Sequence, residues 1–134
     1  MAGYSDTPLV KKLGIKPGFQ MIVLFEPAHY LDLLFPFPED VTIKKSAKSV
    51  VDFIHLFVKE KKLFEKEFVK NKKLLKKDGM LWVSWPKKSA KVPTDLDETI
   101  IRTIGLAHGL VDVKVCAVDE VWSALKFVYR TKDR

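Results

Sequence analysis

Long apolar runs in the sequence predict a set of buried strands. Residues 20–25, 50–58 and 80–85 are almost wholly apolar. Runs of this kind are typical of strands that are covered on both faces, as in a parallel sheet. Residues 41–45 alternate apolar and polar side chains, which predicts an edge strand. Residues 110–118 and 122–129 are two further strands joined by a short turn, so they predict a hairpin or near-hairpin.

A helical repeat of apolar positions is clearest at residues 59–77. At 100° per residue, one arc collects the apolar residues Leu63, Phe64, Phe68, Leu74 and Leu75. A second face collects the lysines Lys62, Lys66, Lys70, Lys73 and Lys77. Gly79 is predicted to end this helix. A short helix is predicted at 30–34, and another from Pro93 to His108 with Thr94 or Asp95 as its cap.

The alternation of strands and helices predicts a single Rossmann-like α/β domain, a three-layer sandwich that spans residues 1–134. The predicted strand order is 2-1-3-4-6-5 by sequence number, a mostly parallel sheet with the C-terminal strand antiparallel. About four residues link strands 2 and 3, whereas a crossover usually takes about a dozen. Either this link is an extended strap, or residues 41–45 do not form a regular parallel strand.

Length and composition limit the number of domains and the cellular location that we expect for the protein. The chain has 134 residues, which is enough for one core and too few for two. No apolar run approaches the roughly 20 residues of a membrane span, and the N-terminus lacks the pattern of a signal peptide. Cys116 is the only cysteine, which excludes an internal disulfide and cysteine-based zinc sites. These features predict a basic cytoplasmic protein with a net charge of +7.

Short motifs occur along nearly the whole chain. They are residues 3–5 with 7–9, 12–18, 55–58, 81–89, 92–96 and 109–120, and the most specific is the Trp-Pro-Lys-Lys-Ser piece at 85–89. Through them the chain resembles a family of short, functionally uncharacterised bacterial proteins. The resemblance supports the predicted fold and domain limits, and it brings no established activity.

The predicted strand order also resembles that of class I S-adenosylmethionine methyltransferases. That resemblance implies a glycine-rich loop after strand 1 and an acidic residue at the end of strand 2 that holds the ribose hydroxyls. Here residues 26–30 replace the glycines, and Lys44 and Lys45 stand where the acid is expected. Because fold alone does not fix chemistry, a degenerate relative without a cofactor is favoured, and no metal is expected.

A candidate site follows from the rule that open α/β sheets bind ligands beyond the carboxyl ends of their strands. The residues that this rule collects are Glu26, His29, Trp85, Lys87, Lys88, Ser89, Asp119, Glu120 and Trp122. An anion would be bound by the positive charges of Lys87 and Lys88 and by the hydroxyl group of Ser89. Trp85 and Trp122 would form the walls of this site. Asp119 and Glu120 would hold the ammonium groups of the two lysines in position. The Lys87–Lys88 turn could equally be a solvated loop, and Trp85 a packing lid.

Several titratable residues have simpler explanations. Asp119 and Glu120 could supply a general base or a metal ligand, but adjacent carboxylates are also common in turns. His29 is a possible acid or base that lacks a visible partner. His55 is expected to be a satisfied interior histidine, and His108 a cation at a helix end. Cys116 is expected to be a small core residue.

The lysine-rich segment carries most of the net charge. Residues 59–77 contain nine lysines and three glutamates, which gives a net +6. Nucleic acid or an anionic membrane could use such a stripe. The segment has no arginine and no interleaved exposed aromatic residue, so a solvated face is favoured. Nucleic acid stays open as a partner, a membrane is not expected, and the oligomeric state is not predicted.

The leading hypothesis from the sequence is a non-catalytic or ligand-binding domain that holds a small anionic ligand at the strand ends. The first alternative is an enzyme, a divergent S-adenosylmethionine-dependent methyltransferase. The second is a module that binds nucleic acid or protein through the lysine stripe.

Overall fold

The computed structural model describes residues 7–134 as a six-stranded sheet with helices on both faces. The strands are β1 (Gln20–Leu24), β2 (Thr42–Lys44), β3 (Val51–Phe57), β4 (Leu75–Pro86), β5 (Leu110–Ala117) and β6 (Trp122–Tyr129). The helices are α1 (Leu9–Lys12), α2 (Tyr30–Leu34), α3 (Lys61–Lys72) and α4 (Glu98–Ala107), with 3-10 turns at Lys88–Ala90 and Thr131–Asp133. The N-terminal stretch without a signal-peptide pattern, and the motif at 3–5, lie outside the described residues.

The strand order across the sheet is β2-β1-β3-β4-β6-β5, as the sequence predicts. β1, β2, β3 and β4 run parallel to one another, and β6 pairs antiparallel with both β4 and β5. The Rossmann-like fold prediction is therefore confirmed. None of the helices within residues 7–134 combines the length and the apolar character that crossing a membrane requires.

Each face of the sheet has its own apolar core. The face toward α1 and α2 buries Phe53, Phe57 and Trp82, while the face toward α3 and α4 buries Ile54 and Leu56. Because successive residues of β3 alternate between these two cores, both sets are apolar. This arrangement is why the sequence shows an unbroken apolar run instead of an alternating one.

The connection from β2 to β3 is an extended strap, the first of the two possibilities for this link. Residues 45–50 contain no helix, and they lead from the edge strand past β1 to the start of β3. Ala47 packs against the core beneath α3 and α4, so the strap crosses that face.

Helix α3 is shorter than its apolar arc predicts. It ends at Lys72, and Leu75 already belongs to β4, where it lies opposite Val51. Gly79 does not end the helix. It lies where β4 passes close to β3, and a Cβ atom at this position would come within 2.9 Å of the Asp52 carbonyl oxygen. The glycine is therefore required by a close backbone approach.

Helix α4 begins later than predicted, at Glu98, and its cap is Asp97, whose side chain accepts from the Ile100 N–H at 2.8 Å. Thr94 and Asp95 do not cap α4. The Thr94 hydroxyl donates to the Lys59 carbonyl, and the Asp95 carboxylate accepts from the Lys61 N–H at 2.7 Å. Both residues therefore fix the entry into α3.

Candidate functional site

The carboxyl ends of β1 and β3 and the turn between β5 and β6 surround a cavity of about 500 Å³. Its lining is mostly apolar: Phe25, Pro27, Phe57, Val58, Lys59, Glu60, Leu63, Val92, Val121 and Trp122. The volume falls within the roughly 300–1,000 Å³ typical of small-molecule sites. We call this space the strand-end cavity.

Aromatic residues at strand ends line the strand-end cavity. Phe25 follows β1 with a positive φ of 60°, and its side chain is 53% exposed. Phe57 ends β3, and Trp122 begins β6; their rings pack edge to face at 5.2 Å. Leu63, in the first turn of α3, completes the apolar lining. The cavity therefore offers ring faces and aliphatic groups to a ligand.

His29 and Asp119 join two of the segments that surround the cavity. The His29 Nε2 lies 2.7 Å from Asp119 Oδ2, and Asp119 Oδ1 accepts from the N–H groups of Val121 and Trp122 at 2.8 Å each. Burial alone would raise the pKa of Asp119, but the hydrogen bonds from His29, Trp122 and Val121 outweigh it and lower that pKa. Asp119 therefore fixes the turn that carries Val121 and Trp122.

Glu26 and Lys45 form an ion pair at the ends of β1 and β2. The Lys45 ammonium also donates to the Val23 carbonyl at 3.0 Å. The carboxylate at the end of β1 is thus neutralised by the cation that follows β2.

The Trp-Pro-Lys-Lys-Ser turn borders a different space. Trp85, Lys87 and Lys88 line a shallow cleft of about 340 Å³ together with Asp97 and Glu98 of the α4 entry. Trp85 is buried, whereas Lys88 and Ser89 are exposed.

The sequence-predicted site therefore separates into three parts. His29, Asp119 and Trp122 come together at the strand-end cavity, and Glu26 pairs with Lys45. Trp85, Lys87 and Lys88 line the cleft beside α4, where the neighbouring acids are Asp97 and Glu98. Ser89 and Glu120 lie on the exposed surface and line neither space.

Most of the lining residues escaped the sequence reasoning, among them Phe25, Leu63, Val92 and Val121. Phe25 and Val121 directly flank β1 and β6, so their proximity to strand ends was a usable signal. Leu63 was assigned to the helix core, and Val92 lies in a loop that shows no pattern. Charge and aromatic content drew attention to the Lys87 turn, but the cavity wall is mainly aliphatic.

Three other predictions concern isolated titratable side chains. His55 is fully buried and satisfied: Nδ1 lies 2.7 Å from the Tyr30 hydroxyl and Nε2 lies 2.7 Å from Ser84 Oγ. His108 follows α4 and pairs with Glu65 at 3.0 Å. Cys116 packs against the core, and burial raises the pKa of its thiol. His55 and His108 lie where the sequence predicts, in the interior and at a helix end, whereas Cys116 is only half-buried at the margin of the core. Within residues 7–134, no cluster of His, Cys, Asp and Glu could hold a metal ion.

Comparison with known proteins gives matches at the level of structure alone. No family model and no curated protein matches the chain. Aeropyrum pernix fibrillarin, solved with natively bound S-adenosyl-L-methionine, superposes with a TM-score of 0.60 at 14% identity, over 90% of this chain and 72% of that chain. A methyltransferase dependent on S-adenosylmethionine from Aquifex aeolicus gives 0.56 at 16% identity, over 89% and 86%. A TehB-like methyltransferase from Corynebacterium glutamicum gives 0.57 at 9% identity, over 96% and 90%.

These neighbours confirm the fold-level likeness to class I methyltransferases, and at such low identity they show the fold alone. They also correct the leading hypothesis. A non-catalytic domain that holds a small anionic ligand is wrong as the main interpretation, because the repeated structural neighbours are methyltransferases. The alternative, a divergent methyltransferase, agrees better with the fold.

The residues fit S-adenosylmethionine in one region and not in another. The loop after β1 holds Phe25, Glu26 and Pro27 in place of glycines, and Lys45 engages Glu26 where a ribose-binding acid would stand. The two contacts that the resemblance implies are therefore absent. The strand-end cavity does fit, because its aromatic and aliphatic walls suit an adenine ring and its ring faces suit a cationic sulfonium.

Proposed function

We propose that the protein is a divergent S-adenosylmethionine-dependent methyltransferase that binds its cofactor in the strand-end cavity. The observation that carries the proposal is the position of this mostly apolar cavity, at the carboxyl ends of the strands in a methyltransferase-like sheet. When bound, S-adenosylmethionine supplies an electrophilic methyl group on a sulfonium.

Residues of the cavity match the parts of this cofactor chemically. Phe25, Phe57 and Trp122 provide ring faces and edges for the adenine. Lys59 and Glu60 lie together in the lining and provide opposite charges for the carboxylate and ammonium of a methionine moiety. The His29–Asp119 contact holds the loop after β1 against the hairpin turn, and so keeps two walls of the cavity in place.

Isothermal calorimetry with S-adenosylmethionine tests the proposal. We expect wild-type binding with a Kd below about 1 mM. Val92→Trp places an indole in the cavity from a surface loop, and it should weaken binding at least about tenfold by occupying the volume. Its matched control is Val50→Trp, because Val50 is exposed and precedes β3 at the opposite edge of the sheet.

The control protein should bind as wild type does, and both variants should keep the wild-type Tm. No heat of binding in wild type at millimolar ligand would remove the proposal. Equal affinities for Val92→Trp and wild type would remove the assignment to the cavity.

The motif-level resemblance to short uncharacterised bacterial proteins adds no substrate to this proposal. We propose a cytoplasmic location for the reaction, which the single cysteine supports because it leaves no internal disulfide.

A further inference from the structure

The lysines near α3 fall into two groups. One group has structural contacts: Lys72 donates to the His108 carbonyl behind α4, Lys76 pairs with Asp52 at 2.9 Å, and the Lys77 ammonium lies 4.3 Å from the centre of the Tyr129 ring. The positions of Lys72, Lys76 and Lys77 are therefore explained by contacts within the fold. Lys77 belongs to the stripe that the sequence predicts.

The other group is a surface that we call the lysine ridge: Lys62, Lys66, Lys70 and Lys73. All four side chains are exposed, and their spacing of three or four residues places them along one face of α3. Within residues 7–134, no carboxylate lies at ion-pair distance from any of them. Val69 lies among them with 37% exposure.

The acids of α3 do not neutralise the lysine ridge. Glu65 pairs with His108 at 3.0 Å, and Glu67 is buried beside Asn71. The positive charge of the ridge is therefore uncompensated by its own helix, and it favours a polyanionic partner.

The ridge begins at the strand-end cavity. Glu60 and Leu63, which flank Lys62, both line that cavity, and Phe25 of the same lining exposes half of its ring. Residues 59–77 have no interleaved exposed aromatic residue, but Phe25 in the loop after β1 supplies one. A cationic track beside an exposed ring is the combination that single-stranded nucleic acids favour.

We propose that the lysine ridge binds the phosphate backbone of a single-stranded nucleic acid, whose bases are presented toward the strand-end cavity. This inference rests on the proposed function: if the protein is a methyltransferase, nucleic acid is the class of its substrate. A membrane fits less well, because the apolar face of α3 is buried in the core through Phe64 and Phe68. The helix therefore has no apolar stripe to insert into lipid.

Fluorescence anisotropy with a labelled mixed-sequence RNA of about 20 nucleotides tests the proposal, with single-stranded DNA and phosphatidylserine-containing vesicles as parallel probes. Four phosphate contacts at a slope of about −0.7 each predict about a 50-fold loss of affinity between 50 and 200 mM salt. Affinities for RNA and DNA distinguish the source of the phosphates.

The test variant is Lys66→Glu with Lys70→Glu. Its control is Lys11→Glu with Lys16→Glu, two exposed lysines in and after α1 on the other side of the sheet, with the same change in net charge. We expect the ridge variant to lose at least about tenfold in affinity and the control at most about twofold.

Equal losses in the two variants would overturn the ridge assignment, since net charge would then explain them. Absence of oligonucleotide binding by wild type at 50 mM salt would also overturn it, as would ridge-dependent binding to the vesicles alone. Calorimetry with S-adenosylmethionine on the same proteins separates the two proposals. Cofactor binding without ridge-dependent RNA binding overturns only this inference. Ridge-dependent RNA binding without cofactor binding overturns the proposed function and the substrate role, and leaves the ridge as a surface that binds nucleic acid.

Discussion

His55 is a titratable residue that the fold removes completely from water. It lies fully buried on β3, held between the Tyr30 hydroxyl and Ser84 Oγ, and its ring stacks on Phe57 at 4.2 Å. Burial lowers the pKa of His55 from 6.5 to about 3. A neutral imidazole has one donor and one acceptor nitrogen, so both contacts are satisfied without a charge in the core.

Acid should therefore destabilise the protein through His55. Its folded-state pKa lies below its unfolded-state pKa, so stability is fully present above about pH 6.5 and is lost as pH falls toward about 3. The expected slope from this group is on the order of 1.4 kcal/mol per pH unit within that window. Urea unfolding at pH 7, 6, 5 and 4 measures this pH dependence of the free energy of unfolding.

The matched variant is His55→Gln, which cannot take up the proton. It should be less stable at pH 7, because the Tyr30 and Ser84 contacts are disturbed, but its stability should fall less steeply with acid. Parallel pH profiles for the two proteins would contradict the account.

The sequence was informative about His55 only in part. An apolar run around it predicted an interior histidine, because a charge is costly there. Its partners could not be predicted, since Tyr30 and Ser84 are distant in sequence and meet His55 only when α2 packs on β3 and β4 pairs with it.

At the scale of elements, helix α4 packs on the sheet through Gly105. A Cβ atom at this position would lie 2.1 Å from Cε1 of Phe127 on β6. The glycine is buried in the last turn of the helix, where its conformational freedom is still a disadvantage. Its presence is therefore explained by the close approach of α4 to Phe127.

Gly105→Ala should destabilise the protein although alanine is the better helix former by about 1 kcal/mol. Because the added methyl group overlaps the Phe127 ring, we expect a net loss of about 1–3 kcal/mol in the free energy of unfolding. Thr103→Ala, at an exposed position of the same helix, should change it by less than about 0.5 kcal/mol. A more stable Gly105→Ala protein in chemical denaturation would refute the packing argument.

Element boundaries show where sequence patterns stop being informative. The apolar arc at 59–77 predicted a helix, but its end was wrong. Leu75 satisfies the arc, yet it also fits a strand, and pairing with Val51 decides in favour of β4. The periodicity of neighbouring residues cannot decide between helix and strand at Leu75, because the strand that pairs with it is distant in sequence.

At the scale of the whole molecule, the order of all six strands could be predicted, because alternating elements and buried runs leave few topologies. The candidate site was predicted only at the level of the correct sheet edge. The cavity wall is assembled from short segments that share no motif. No sequence pattern therefore marks Phe25 or Val92 as a lining residue. The basic turn at Lys87 was conspicuous, but the fold directs it to the cleft beside α4.

The central claim is that the cofactor binds in the strand-end cavity and not beside the Lys87 turn. The three tryptophans report on this difference. Trp122 lines the cavity, and Trp85 lines the cleft beside α4. Trp82 is buried, with its Nε1–H donating to the Leu13 carbonyl at 2.9 Å.

Two-dimensional 1H–15N NMR of the wild-type protein, titrated with S-adenosylmethionine, reads the three indole N–H signals separately. The account predicts that the Trp122 indole signal shifts in a saturable way, while those of Trp82 and Trp85 stay fixed. A saturable shift of Trp85 without Trp122, or no shift at millimolar ligand, would contradict it.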